Sequence, residues 1–194
     1  MTPANTTGAG GATVYYGNLD NAHSLQVFLE LRDRGSRRMA ESLLGTLRQA
    51  ADDNRFAVKF HFAATMDDTV GGSGSRRGLS ALGAASDAGQ RQFNEYLAAL
   101  FAAQPFPPAI DRFSDTSVLL SLASEVGGLR SPDFDRKVME GAYLTWAGEA
   151  VGGFASLGVV GTPVAWYDDQ VIPVVKGEDG PAISPREFLA RIPE

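Results

Sequence analysis

The order of periodic segments predicts an α/β fold in which a β–α–β unit and a closing β–β–α unit are separated by a block of helices. Three observations carry the prediction. Residues 24–64 read as an apolar strand, a helix at 3.6-residue spacing and a second strand. Helical patterns then occupy residues 79–151, and β-type runs return only from Thr162. A β–α–β unit implies two parallel strands joined by a right-handed crossover.

Each element has a local reason. Thr13-Val14-Tyr15-Tyr16-Gly17 is a short β-type run closed by the turn Asn18-Leu19-Asp20-Asn21. Ser24 to Leu31 is more apolar and ends in the charged turn Arg32-Asp33-Arg34-Gly35. Ser36 stands where a helix N-cap is expected, with Met39, Leu43, Leu44 and Leu47 following on one face, and the helix stops near Asp52-Asp53-Asn54. Arg55 to Ala64 reads as a strand, and Gly71 to Ser75 as a loop. Helices are predicted over Leu79–Ala88, Gln90–Ala103, Asp115–Val126 and Pro132–Val151, the last opened by Ser131-Pro132 as cap and first-turn proline. Thr162–Tyr167 and Val171–Val175 form a hairpin across Asp168-Asp169-Gln170, and Ser184-Pro185 caps a short final helix. The division is therefore 13–66, a helical insertion over 67–156, and 157–194, preceded by a flexible leader over 1–12.

Composition removes several function classes. The chain has 194 residues, 44% hydrophobic and 21% charged, enough for a core without covalent staples. Its formal charge of −6 counts against a nucleic-acid partner, which needs a basic face. There are no cysteines, so disulfides, thiolate nucleophiles and thiolate metal sites are excluded together. His23 and His61 are the only imidazoles, too few for a histidine-rich metal site. No apolar run approaches the roughly twenty residues that span a bilayer. The start, MTPANTTGAGGA, lacks the basic and apolar regions of a secretory signal. The expected compartment is cytoplasmic, or extracytoplasmic if that end is the trimmed edge of a precursor.

Local motifs point to one family. Leu29-Glu30-Leu31-Arg32-Asp33-Arg34-Gly35-Ser36-Arg37-Arg38-Met39 resembles the DsbA-family stretch in which an acidic residue and an Asp precede Cys-Pro-x-Cys at a helix start. Gly17-Asn18-Leu19-Asp20-Asn21-Ala22 is similar to that family's Gly-Asn-x-Asp-Ala-Pro lead-in, and Leu100 to Pro105 to the end of one of its insertion helices. Gly158-Val159-Val160-Gly161-Thr162-Pro163 matches Gly-Val-x-Gly-Thr-Pro, whose proline is cis in the family. The resemblance runs from Thr13 to Ile192 and implies a thioredoxin fold with an inserted helical domain. In its register Ser36 and Met39 stand where the two active-site cysteines would be. Dithiol exchange needs an attacking thiolate and a resolving thiol, so this chain cannot perform it.

What remains at that place is a hydroxyl, arginines and a proline loop. Ser36 reads either as a helix cap or as a donor to a ligand anion at the positive helix end. Kappa-class glutathione transferases, which share the insertion architecture, carry a serine there that steadies a bound thiolate, although RDRGSRRM departs from their Ser-Pro pattern. Arg32, Arg34, Arg37 and Arg38 read either as an anion site or as a solvated turn pairing with Glu30, Asp33 and Glu41. In the family the residue before the proline offers its backbone to an extended ligand, so Thr162 and Pro163 are candidates. Asp52-Asp53, Asp67-Asp68 and Asp168-Asp169 read as solvated turn acids, His61 as a strand residue, and Tyr143 and Trp146 as core.

The expectation is a redox-inert DsbA-like protein binding a peptide or a small anionic ligand at a groove between Ser36 and Pro163, lined by Arg34, Arg37, Met39 and Thr162. Two alternatives stay open. One is a transferase or isomerase using a low-molecular-weight thiol oriented by Ser36. The other is a protein-interaction module with a vestigial site. No metal is expected, and no cofactor beyond that thiol.

Overall fold

The computed structural model describes residues 1–177 and 179–193. In chain order the elements are β1 (Thr6–Thr7), β2 (Thr13–Tyr16), β3 (Ser24–Leu29), α1 (Arg34–Asp52), β4 (Ala57–Phe62), α2 (Thr65–Thr69), α3 (Gly74–Ala88), α4 (Gln90–Ala102), α5 (Thr116–Ala123), α6 (Pro132–Glu140), α7 (Leu144–Phe154), β5 (Val164–Tyr167), β6 (Gln170–Ile172) and α8 (Pro185–Leu189). The strands form one mixed sheet in the order β1-β2-β4-β3-β5-β6. Only β3 and β4 run parallel, joined through α1 as the sequence predicts; the other pairings are antiparallel.

Register sorts the side chains onto two faces. Leu25, Val27 and Leu29 of β3 lie beside Val58, Phe60 and Phe62 of β4, and all six enter the main core. α1 adds Met39, Leu43, Leu44 and Leu47 to that core, and α4 adds Phe93, whose ring meets Phe60 at 5.4 Å between centroids. The opposite face carries Phe28 and His61, and α7 closes over it with Phe154 edge-on to Phe28. One cluster of buried side chains runs through the sheet, α1 and the helices of the insertion. Among the described residues, no helix is long and apolar enough to cross a membrane.

Three local expectations are corrected. Residues 1–12 are not a flexible leader. β1 pairs with β2, Ser86 Oγ donates to the Ala4 carbonyl at 2.6 Å, and Trp146 Nε1 donates to the Gly11 carbonyl at 2.8 Å. These anchors lie far along the chain, so nothing within the small polar segment itself signals them. The helix expected over Pro132–Val151 is two helices, because Gly141 adopts the left-handed conformation at the end of α6. Asp67 is not a solvated turn acid: it sits in α2 with its side chain fully buried.

Asp67 is buried because Arg32 is buried with it. Arg32 Nη1 donates to Asp67 Oδ1 at 2.9 Å and to the Gly71 carbonyl, while Nη2 donates to the Pro108 carbonyl at 2.7 Å. Asp67 also accepts the amides of Ser75 and Arg76 in the first turn of α3. Asp111 Oδ1 is a longer second partner at 3.5 Å from Arg32 Nη1, so removing Asp67 takes away the close member of a buried pair, a loss of up to about 3–5 kcal/mol. Asp67→Ala is therefore expected to lower the melting temperature by about 6–20 °C, at roughly 2–4 °C per kcal/mol, read by calorimetry. A shift under about 2 °C would show that Asp111 or water takes over the guanidinium.

Candidate functional site

The site is built where β3 runs into α1. Asp33, in extended conformation, caps α1. Its Oδ2 accepts the Ser36 amide at 2.6 Å, and Oδ1 accepts the Gly35 amide at 3.3 Å. The cap expected of Ser36 thus belongs to Asp33, three residues earlier. A carboxylate satisfies early helix amides and also faces the positive end of the helix dipole. Ser36 lies inside the first turn, 0% exposed. Its hydroxyl donates to Asp33 Oδ2 at 2.7 Å and accepts the Glu30 amide at 3.0 Å.

The loop before β5 closes on the same carboxylate. Thr162 Oγ1 donates to Asp33 Oδ2 at 3.1 Å, and the Thr162–Pro163 peptide bond is cis. Pro163 seats against the start of α1, where a Cβ on Gly35 would lie 2.8 Å from Pro163 Cδ. Glycine at 35 is required by this close approach. Gln104, two residues beyond the end of α4, donates to the carbonyls of Leu31 and Asp33 at 2.8 and 2.9 Å.

Beside Thr162 lies a groove of about 560 Å³. Val159, Val160 and Gly161 line it from the loop, Ala63, Thr65 and Met66 from the end of β4, and Phe154 and Ala155 from the end of α7. Glu30 and Asp33 complete the lining. Glu30 Oε1 accepts the Met66 amide at 2.6 Å and the Ser75 hydroxyl at 3.3 Å. Burial pushes the Glu30 carboxyl above its ordinary range, and the neighbouring Asp33 and Asp67 push the same way.

The arginines do not share that groove. Arg34, Arg37 and Arg38 meet Glu41, Gln104 and Phe106 around a separate cleft of about 160 Å³. Arg34 lies over the Phe106 ring at 4.4 Å, and Arg37 Nε donates to Glu41 Oε1 at 2.8 Å. Met39 is 0% exposed in the core and lines neither space. The residues expected to form one groove are therefore divided. Thr162 lines the acidic groove, Arg34 and Arg37 line the basic cleft, and Ser36 and Met39 are enclosed. Arg32, read with the other arginines, is spent on Asp67.

His61 is a strand residue, as expected. Nε2 lies 3.0 Å from Gln26 Oε1, and burial pushes the imidazole down to about 4, so it is neutral at pH 7. Among the described residues, no group of three or more His, Cys, Asp or Glu could hold a metal ion. Glu30 and Gln104 escaped the sequence reading as site residues. A lone acid ending the apolar run LQVFL was the available signal for Glu30; nothing local marks Gln104.

Glu30 yields a prediction with a definite sign. Its folded carboxyl binds a proton more tightly than the unfolded one, so stability falls as pH rises from the ordinary glutamate range through the raised folded value. Glu30→Gln keeps an oxygen for Met66 and Ser75 and removes that loss. The variant is expected to melt above the native protein at pH 7, with the gap closing as the pH falls to about 4. A variant that melts lower at every pH would show that the charge itself supports the fold. Asp33→Ala, which strips the cap, is expected to cost about 1–2 kcal/mol in denaturant unfolding.

No protein-family model matches the sequence, and no curated protein matches it. Solved structures do. A reduced disulfide bond oxidoreductase, DsbG, from Mycobacterium tuberculosis superposes with a TM-score of 0.71 at 17% identity, covering 95% of this chain and 91% of that one. MdbA, a thiol–disulfide oxidoreductase from Actinomyces oris, gives 0.71 at 14% identity over 93% of this chain and 84% of its own. Oxidised BdbD from Bacillus subtilis gives 0.69 at 13% identity over 89% and 90%. The chain has the DsbA-like form of the thioredoxin fold, and its sequence contains no cysteine.

Proposed function

We propose that this protein is a redox-inert, DsbA-like binding protein that holds an extended peptide segment in the groove beside Thr162. The observation that carries the reading is the groove itself: an apolar-walled space of about 560 Å³ bordered by the Gly161–Thr162 backbone that precedes the cis-proline. A loop backbone of this kind pairs with an extended chain by main-chain hydrogen bonds, while side chains enter the adjoining space. None of that needs a thiol. A chain without cysteine keeps this chemistry in a reducing or an oxidising compartment alike.

Thiol-dependent transfer draws less support. Ser36 is enclosed, its hydroxyl is donated to Asp33, and the helix end that would steady a thiolate already faces a carboxylate. The anionic-ligand reading moves instead to the arginine cleft. Arg34 makes no ion pair with any described carboxylate and lies over the Phe106 ring, a presentation suited to carboxylate or phosphate.

The test is calorimetric titration with a panel of short, cysteine-free extended peptides, alongside a disulfide-reduction assay. Binding is expected without turnover, and Met66→Trp, which fills the groove from a half-buried position, should abolish it. At a hundred times the dissociation constant a bound peptide adds about 2.7 kcal/mol, or about 5–10 °C of melting temperature. Disulfide reduction by the pure chain, or peptide binding that ignores Met66→Trp, would sink the reading. For the cleft, inorganic phosphate should raise the melting temperature of the native protein but not of Arg34→Ala.

A further inference from the structure

The groove beside Thr162 also has the means to choose among peptides, an inference that rests on the peptide-binding reading above. Glu30 lines the groove yet is only 3% exposed. Its Oε1 is occupied by the Met66 amide and the Ser75 hydroxyl, while Oε2 receives no hydrogen bond from any described residue. Oε2 is not among the enclosed polar atoms that lack a partner, so it is the carboxylate oxygen that opens on the groove. Asp33 lines the same groove, and no lysine or arginine lines it. Arg32, two residues from Glu30, points at Asp67, and Arg34 lies on Phe106 in the other cleft. The groove is thus an acidic end beneath apolar walls, with no internal cation to balance it.

We propose that the groove selects extended peptides that insert a lysine or arginine side chain, its apolar stem along Met66, Val159 and Phe154 and its charged head on Glu30 Oε2. Long basic side chains have this anatomy, an aliphatic stem carrying a charge that must find water or a partner. Asp33 supplies field rather than the pairing atom, because its Oδ2 already accepts three donors and its Oδ1 takes the Gly35 amide. A bound cation would also offset the burial that works against the Glu30 charge.

The probe is a pair of short peptides of threonine and serine, identical except that one carries a central lysine and the other norleucine there. Isothermal titration at low salt should give the lysine peptide an affinity higher by about ten-fold or more, the scale of one charge-assisted hydrogen bond. Glu30→Gln should weaken the lysine peptide to the level of the norleucine peptide and leave the latter unchanged. Equal binding of the two by the native protein, or a preference that survives Glu30→Gln, overturns this inference and leaves the groove reading standing. Failure of both peptides to bind overturns the two together. Should the variant not fold, the preference of the native protein decides alone.

Discussion

The carboxylate of Asp33 is the point on which the site depends. It caps α1, holds the buried Ser36 hydroxyl and takes the hydroxyl of Thr162 from the loop before β5. One anion at one helix end thereby ties together the two halves of the sheet-forming chain. It also fills the electrostatic role that an ionised ligand or thiolate would otherwise play there. The helix end is satisfied from within, and the groove lies beside it rather than upon it.

That internal neutralisation explains the division of charge around α1. On one side, Glu30 and Asp33 face a groove with no basic lining. On the other, three arginines gather around Phe106 and Gln104 with Glu41 as their acidic neighbour. Two buried contacts keep the sides apart. Arg32 is drawn into the Asp67 clamp, and Gln104 fastens the end of α4 to the carbonyls of Leu31 and Asp33. The helical insertion is therefore a structural wall of the site, joined to it through a core that does not break between the two.

Much of the fold was legible because its signals are local. The β3–α1–β4 unit, the Asp168-Asp169 turn and the Ser184-Pro185 cap each follow from spacing and turn chemistry over a few residues, and the structure has them. The candidate site was legible only as a neighbourhood. Serine suits a helix cap or an anion donor, so Ser36 invites either role, but the acceptor three residues earlier is stronger and takes the amides. Nothing beside Asp67 in sequence shows that Arg32 is buried against it, so a pair of turn acids suggests only solvation.

The sequence by itself determined the element order and the chemistry that is ruled out. A chain with no cysteine cannot exchange disulfides in any conformation. Tertiary structure alone decided which polar groups face the groove and the cleft, and which are enclosed. The contacts that enclose Ser36, turn Arg32 inward and bring Thr162 to Asp33 join residues up to 129 positions apart. Periodicity records which side of an element is buried; it carries no record of the partner that a distant segment brings to it.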